Sequence, residues 1–166
     1  MAQATPGNKK VLYFRDFEKR DIQGLRLAFQ TSHTLSGEGD SDSTVTKDGS
    51  VSIPSAFAWT LSVENLSSEV ALRDTLVEVA EKVGAIEIWE VDFSQPGTKT
   101  GTYKGKYMRG SVSSIETAND ADASATDSVE IAVTGNPQAG DITIDPSTLH
   151  MAQYVFEDIK AVTAPK

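Results

Sequence analysis

The residues able to do chemistry are few and poorly arranged for it. His33 and His150 are the only imidazoles, and neither stands in an H-x-x-x-H or H-E-x-x-H arrangement that would put two ligands on one helix face. Each is expected to be an ordinary strand or loop histidine. The chain contains no cysteine, which removes disulfides, thiolate nucleophiles and cysteine-ligated zinc. Ser111, Ser113 and Ser114 sit in a strand-like run rather than at the sharp strand-to-helix turn of a G-x-S-x-G nucleophile. No G-x-x-x-x-G-K-[ST] or G-x-G-x-x-G run is present to cradle phosphate. Two acidic stretches imitate calcium loops, one from Asp40, Asp42 and Thr44, the other from Asp120, Asp122 and Ser124. Val45 and Ala125 occupy the sixth positions where glycine is required, and Val51 and Ile131 stand where a bidentate glutamate should close the loop. A glycosidase acid needs an apolar pocket to raise its pKa, whereas these carboxylates lie among Ser, Gly and Ala. The expectation is a chain without catalytic, cofactor or metal residues, and not an enzyme.

Charge narrows the function further. The net charge of −9 opposes ordinary nucleic-acid binding, which depends on Lys and Arg displacing counterions from phosphates. The charge is also segregated. Residues 1–26 carry six basic and three acidic side chains, and 99–109 carry Lys99, Lys104, Lys106 and Arg109 with no acid. Residues 116–130 carry Glu116, Asp120, Asp122, Asp127 and Glu130 with no base. Solvated loops and a basic strand face would explain this.

The elements that must carry these residues are mainly strands. The chain of 166 residues suits one domain, and 39% apolar residues allow a thin, sheet-based core. No run approaches the roughly 18 apolar residues of a membrane-spanning helix. Residues 11–17 and 25–31 read as strands, the second placing Leu25, Leu27 and Phe29 on one face. Residues 57–63 alternate Phe57, Trp59, Leu61 and Val63 with small or polar partners. Leu72, Leu76, Val79, Ala80 and Val83 then switch to helical spacing, with Ser67 or Ser68 as N-cap, Lys82 in the last turn and Gly84 as the left-handed C-terminal residue. Residues 85–93 resume a strand with large side chains on both faces, and further strands follow at 103–115, 129–133, 142–144 and 154–159.

That pattern predicts an all-β sandwich or small barrel with one flanking helix. Its expected core is Phe29, Trp59, Leu61, Leu72, Leu76, Val79, Ile88, Trp89, Val129, Ile131, Tyr154 and Phe156. Residues 36–50 (SGEGDSDSTVTKDGS) lack the apolar area to bury themselves and read as a long loop.

Several segments, taken in order, resemble the major tail (tail-tube) protein family of siphophages that infect Gram-positive bacteria. They are Leu27-Ala28-Phe29-Gln30-Thr31 with His33, Thr46-Lys47-Asp48-Gly49, Glu87-Ile88-Trp89-Glu90, Lys104-Gly105-Lys106-Tyr107, Glu116-Thr117-Ala118-Asn119 and Gln153-Tyr154-Val155-Phe156-Glu157-Asp158. The resemblance spans residues 10–163 and implies a β-sandwich with a flanking helix. It implies subunits that form six-fold rings, and rings that stack into a non-contractile tube through which DNA leaves the capsid without specific binding. It further implies a chain made in the host cytoplasm and carried in the virion tail, beside tape-measure, tail-terminator and distal tail proteins. Some family members add a C-terminal immunoglobulin-like domain, which the end at Lys166 is expected to omit, leaving a single tail-tube domain.

The same resemblance gives the polar loop a use, as an arm ordered against a neighbour through Glu38, Asp40, Asp42, Thr46, Lys47, Asp48 and Gly49. It also gives the acids one, since a channel that passes DNA should be net negative, with Glu87 and Glu130 offered as lumen residues. Two alternatives remain at this point: a type VI-like secretion tube of similar fold, and a surface carbohydrate-binding sandwich, which would need an exposed aromatic platform.

Overall fold

The computed structural model describes residues 7–67 and 70–145. After a 3-10 turn at Gly7–Lys9 come β1 (Lys10–Asp16), β2 (Leu25–Arg26), β3 (Gln30–Thr46), β4 (Gly49–Leu66), α1 (Val70–Glu81), β5 (Ile86–Pro96), β6 (Thr102–Ala118), β7 (Thr126–Val133) and β8 (Gln138–Thr143). All strands join one antiparallel sheet in the order β2-β1-β5-β6-β7-β4-β3, with β8 paired to β6 beside β7.

β6 is the hinge of this sheet. Its first half pairs with β5 and its second half with β7, the two partners meeting at Gly110, which is opposite both Ile86 and Val133. A Cβ at Gly110 would lie 2.4 Å from the Ala132 carbonyl oxygen, so only glycine lets the strands cross this closely. The sheet coils here, and the inner faces of its two halves enclose one core. Period-2 burial supplies that core from each strand: Leu12 and Phe14 of β1, Leu61 and Val63 of β4, Ile86 and Ile88 of β5, Met108 of β6, and Val129 and Ile131 of β7. The helix closes it with Leu72, Leu76 and Val79. A smaller cluster on the opposite face of β1 and β5 joins Val11, Tyr13, Val91 and Ile144, with Trp89, Phe93 and Tyr103 packed against it. This second layer is why residues 85–93 carry large side chains on both faces.

The helix ends as a Schellman turn, with Gly84 N–H donating to Val79 O over 2.9 Å. The left-handed residue is Val83, φ 53°, rather than the expected Gly84. Ser67 donates its N–H to Ala125 O, and Ser68 lies outside the described residues.

Three core expectations need correction. Phe29 is 66% exposed, because β2 stops at Arg26 and the chain turns at Phe29 through a left-handed conformation, φ 49°, that breaks the alternation begun at Leu25. Trp59 is only half-buried, its indole N–H donating to Asn136 Oδ1 over 3.2 Å. Trp89 is half-buried too and belongs to the second cluster. Leu61, Leu72, Leu76, Val79, Ile88, Val129 and Ile131 are buried in the main core. Tyr154, Phe156 and the strand expected at 154–159 lie outside the described residues.

Candidate assembly surfaces

The half-sheet β6-β7-β4-β3 has one face on the core and one face that is bare among the described residues. Its rows can be read across all four strands. One row runs Leu35, Leu61, Ile131, Val112, and two residues along it runs His33, Val63, Val129, Ile115; both point to the core. The alternate rows, one between them and one beyond the second, run Thr34, Ser62, Glu130, Ser114 and Ser32, Glu64, Ser128, Glu116. These line a shallow depression that holds three carboxylates, hydroxyls and no Lys or Arg among the described residues. Glu130, expected as a channel acid, sits here exposed.

Among the described residues the same half-sheet has two unpaired edges. β3 is bonded only to β4, and residues 111–118 of β6 have β7 on one side and no strand on the other among the described residues. An unsatisfied edge is a template for another strand.

Residues 36–50 are not a loop. β3 and β4 continue past the core as a two-stranded hairpin, paired from Gly37 with Trp59 out to Thr46 with Gly49, and Lys47 and Asp48 form the turn. Its backbone ladder is joined by polar side-chain contacts, Ser43 Oγ to Ser50 Oγ over 2.6 Å and Thr46 Oγ1 to Gly49 O over 2.7 Å, and not by an apolar face, so the Gly-Ser-Asp composition concealed the strands. Phe57 lies over Gly37, where a Cβ would come within 2.6 Å of the ring. All of residues 36–58 are exposed, including Val45, Val51, Ile53 and Phe57 and the expected arm residues Glu38, Asp40, Asp42, Thr46, Lys47, Asp48 and Gly49. The arm carries apolar side chains that nothing among the described residues covers.

Glu87 is not available to a channel. Its side chain is fully buried, 2.8 Å from Arg15 Nη2 and 3.3 Å from Arg20 Nη2, and it accepts a 2.5 Å hydrogen bond from the Tyr107 hydroxyl. Burial pushes its carboxyl up, but the bonds from Tyr107 and Arg15 and the charges of both arginines outweigh that and hold it below the usual glutamate range. Arg15 also stacks on Trp89, 4.9 Å from the ring centroid, and Arg109 lies 4.7 Å over Phe17. The pairing residues come from β1, the following turn and β6, so nothing local in the sequence marks Glu87 as an internal ion-pair partner.

His33 is a strand histidine that links elements. Leu12 N–H donates to Gln30 Oε1 over 3.3 Å, Gln30 Nε2 contacts His33 Nδ1, and His33 Nε2 lies 3.0 Å from Glu90 Oε2. This chain of contacts ties the root of the hairpin to β1 and β5. The hydrogen bond from His33, against the opposing effect of burial, helps hold the Glu90 carboxyl below its ordinary value. His150 lies outside the described residues.

A projecting hairpin, two open edges and a bare acidic sheet face describe a subunit built to be joined. The model of a phage tail tube protein family matches residues 4–139. The chain belongs to the phage tail tube protein family. A protein assigned provisionally to the tail of Staphylococcus phage phiMR25 is 26% identical over 184 aligned positions, covering 100% of this chain and 94% of that protein. Among solved structures, the SPP1 tail tube superposes with a TM-score of 0.69 at 14% identity, covering 97% of this chain and 95% of that one. A chain of the native gene transfer agent virion superposes with a TM-score of 0.61 at 10% identity, covering 82% of this chain and 99% of that one. At such identities the superpositions establish a shared fold, and the tail tube family supplies the function: a tube subunit of a phage tail.

Proposed function

We propose that this tail tube protein closes into six-fold rings that stack into a non-contractile tube, and that its bare sheet face lines the DNA channel. The observation that carries this reading is the half-sheet β6-β7-β4-β3, polar and acidic on one face and open at both edges. Four antiparallel strands alternate in direction, so a copy rotated about a ring axis brings its β6 antiparallel to β3 of the next. Such a contact is heterologous, the kind that closes a ring, and repeating it makes a barrel with no free edge. The barrel has one side covered by each subunit's own core and helix, so the face bearing Glu64, Glu116 and Glu130 turns to the axis. Carboxylates there repel phosphate, and any Lys or Arg would add a counterion-release contribution to DNA binding in every ring.

The hairpin, which no described part of its own subunit covers, reaches the adjacent ring. The partners are then other copies of the chain and the tail proteins that cap and fill the tube, the location is the virion tail, and the role is structural without catalysis. Negative-stain microscopy of the concentrated protein tests the reading: hollow tubes of uniform width are expected, and protein that stays monomeric under all crowding and salt conditions would defeat it.

A further inference from the structure

The geometry points to Phe29 as the side chain that locks one subunit to the next, by seating in the groove between α1 and β6 of a neighbouring copy. The inference rests on the ring proposed above and adds the contact that seals it.

Phe29 combines two features that a merely structural residue would avoid. It is a bulky side chain in a left-handed backbone conformation, a costly arrangement that surrounding structure must enforce. It is also two-thirds exposed, although Leu27 two residues earlier is buried in the core. A strained, solvent-facing aromatic at an open edge is the kind of anchor that interfaces concentrate energy upon.

Its place in the fold indicates what it meets. Phe29 immediately precedes β3, the open edge, and its O accepts a hydrogen bond from Leu66 N–H, which fixes it at one end of the half-sheet. Leu27 and Ala28 line a crevice with Leu72 and Leu76, so this segment lies in the helix layer rather than on the acidic face. The complementary edge, residues 111–118 of β6, has a groove in that same layer, lined by Val77, Ala80, Val112 and Ile115. Val77 and Ala80 are only half-buried in the subunit, leaving apolar surface in the groove. The row that begins at Gln30 runs through Asn65 and Asp127 to Thr117, so antiparallel joining of β3 to the next β6 at the same level sets Phe29, one residue before Gln30, beside Thr117 at the Ala118 end of this groove.

Charge agrees with this match. Around Phe29, Lys10, Arg26 and Lys106 share one cleft in which Glu90 is the sole carboxylate among the described residues, none of which accepts a hydrogen bond from the buried Nε of Arg26. The groove is rimmed by Glu81, with Asp74 on the same helix, while Arg73 is held toward its own Asp127, 3.9 Å away.

The absence of cysteine makes the test clean. Subunits carrying F29C and subunits carrying V77C, mixed, assembled and treated with a short bis-maleimide, should give heterodimers, whereas a chain with both changes should give a ladder ending at six. In parallel, F29G removes the ring but keeps the left-handed backbone unstrained; it should retain the wild-type thermal midpoint and raise the concentration needed for tube formation at least tenfold. If the wild type forms tubes, F29G assembles at the same concentration and the mixed cysteines do not join, the Phe29 contact is wrong and the ring stands. If the wild type never forms tubes, both fall.

Discussion

At the scale of single residues, the most consequential arrangement is the buried carboxylate of Glu87. It is satisfied by Arg15, Arg20 and Tyr107, and removing one donor leaves part of a buried charge unmet. Arg15→Met should therefore cost about 1.5 to 3 kcal/mol, the range for a hydrogen bond to a charged group, measured by urea denaturation. The pH dependence follows from the direction of the shift. Glu87 is held below the usual carboxylate range when folded, so its contribution is fully present above the unfolded-state value of about 4.3 and is lost as pH falls through the lower folded value. The stability difference between wild type and Glu87→Gln should be constant from pH 7 to about pH 5.5 and shrink below about pH 4. A difference that grew on acidification would mean the carboxyl is not held ionised by its partners. None of this was legible in the sequence, because a glutamate in an alternating strand looks alike whether it faces water or two distant arginines. Phe29 escaped for a related reason: Leu25, Leu27 and Phe29 keep perfect alternation on paper, yet only Leu27 is buried, Leu25 lying exposed on the short edge strand and Phe29 turned out by its left-handed backbone.

At the scale of elements, legibility followed side-chain periodicity. Residues 59–63 and 129–133 alternate because one face packs on the core, and Leu72, Leu76 and Val79 repeat helically because one helix face covers the core, so these segments were readable, although Phe57 continues the first pattern out onto the exposed hairpin. The hairpin was not, since a ladder exposed on both faces imposes no apolar alternation. Two substitutions separate these cases. Leu76→Ala should cost about 2 to 5 kcal/mol, seen as a fall in the thermal midpoint, because it opens a cavity beneath the helix. The hairpin should come away freely. Because its strands pair Ser41 with Pro54, excision has to remove residues 41–54 together, and stability should then stay within about 0.5 kcal/mol of wild type while tube formation is lost. Normal tubes from the excised chain would remove the hairpin from the account of stacking.

At the scale of the whole molecule, the segregated charge seen along the chain takes on spatial meaning. Of the five acids of residues 116–130, Glu116 and Glu130 lie on the bare face, Asp120 and Asp122 are exposed between β6 and β7, and Asp127 is buried beside Thr117. Glu64, from a strand far earlier in the chain, joins them, which sequence order could not foretell. Reversing Glu64, Glu116 and Glu130 to Lys should yield tubes that retain double-stranded DNA at low salt and release it steeply as salt rises, where wild-type tubes retain none. The most direct test of the account is the helical reconstruction, by electron cryomicroscopy, of tubes assembled from this chain. The account predicts six subunits per ring, β3 of each bonded antiparallel to residues 111–118 of the next, and Glu64, Glu116 and Glu130 facing the axis. A tube whose channel wall is built from another face, or whose subunits meet away from these two edges, would contradict it.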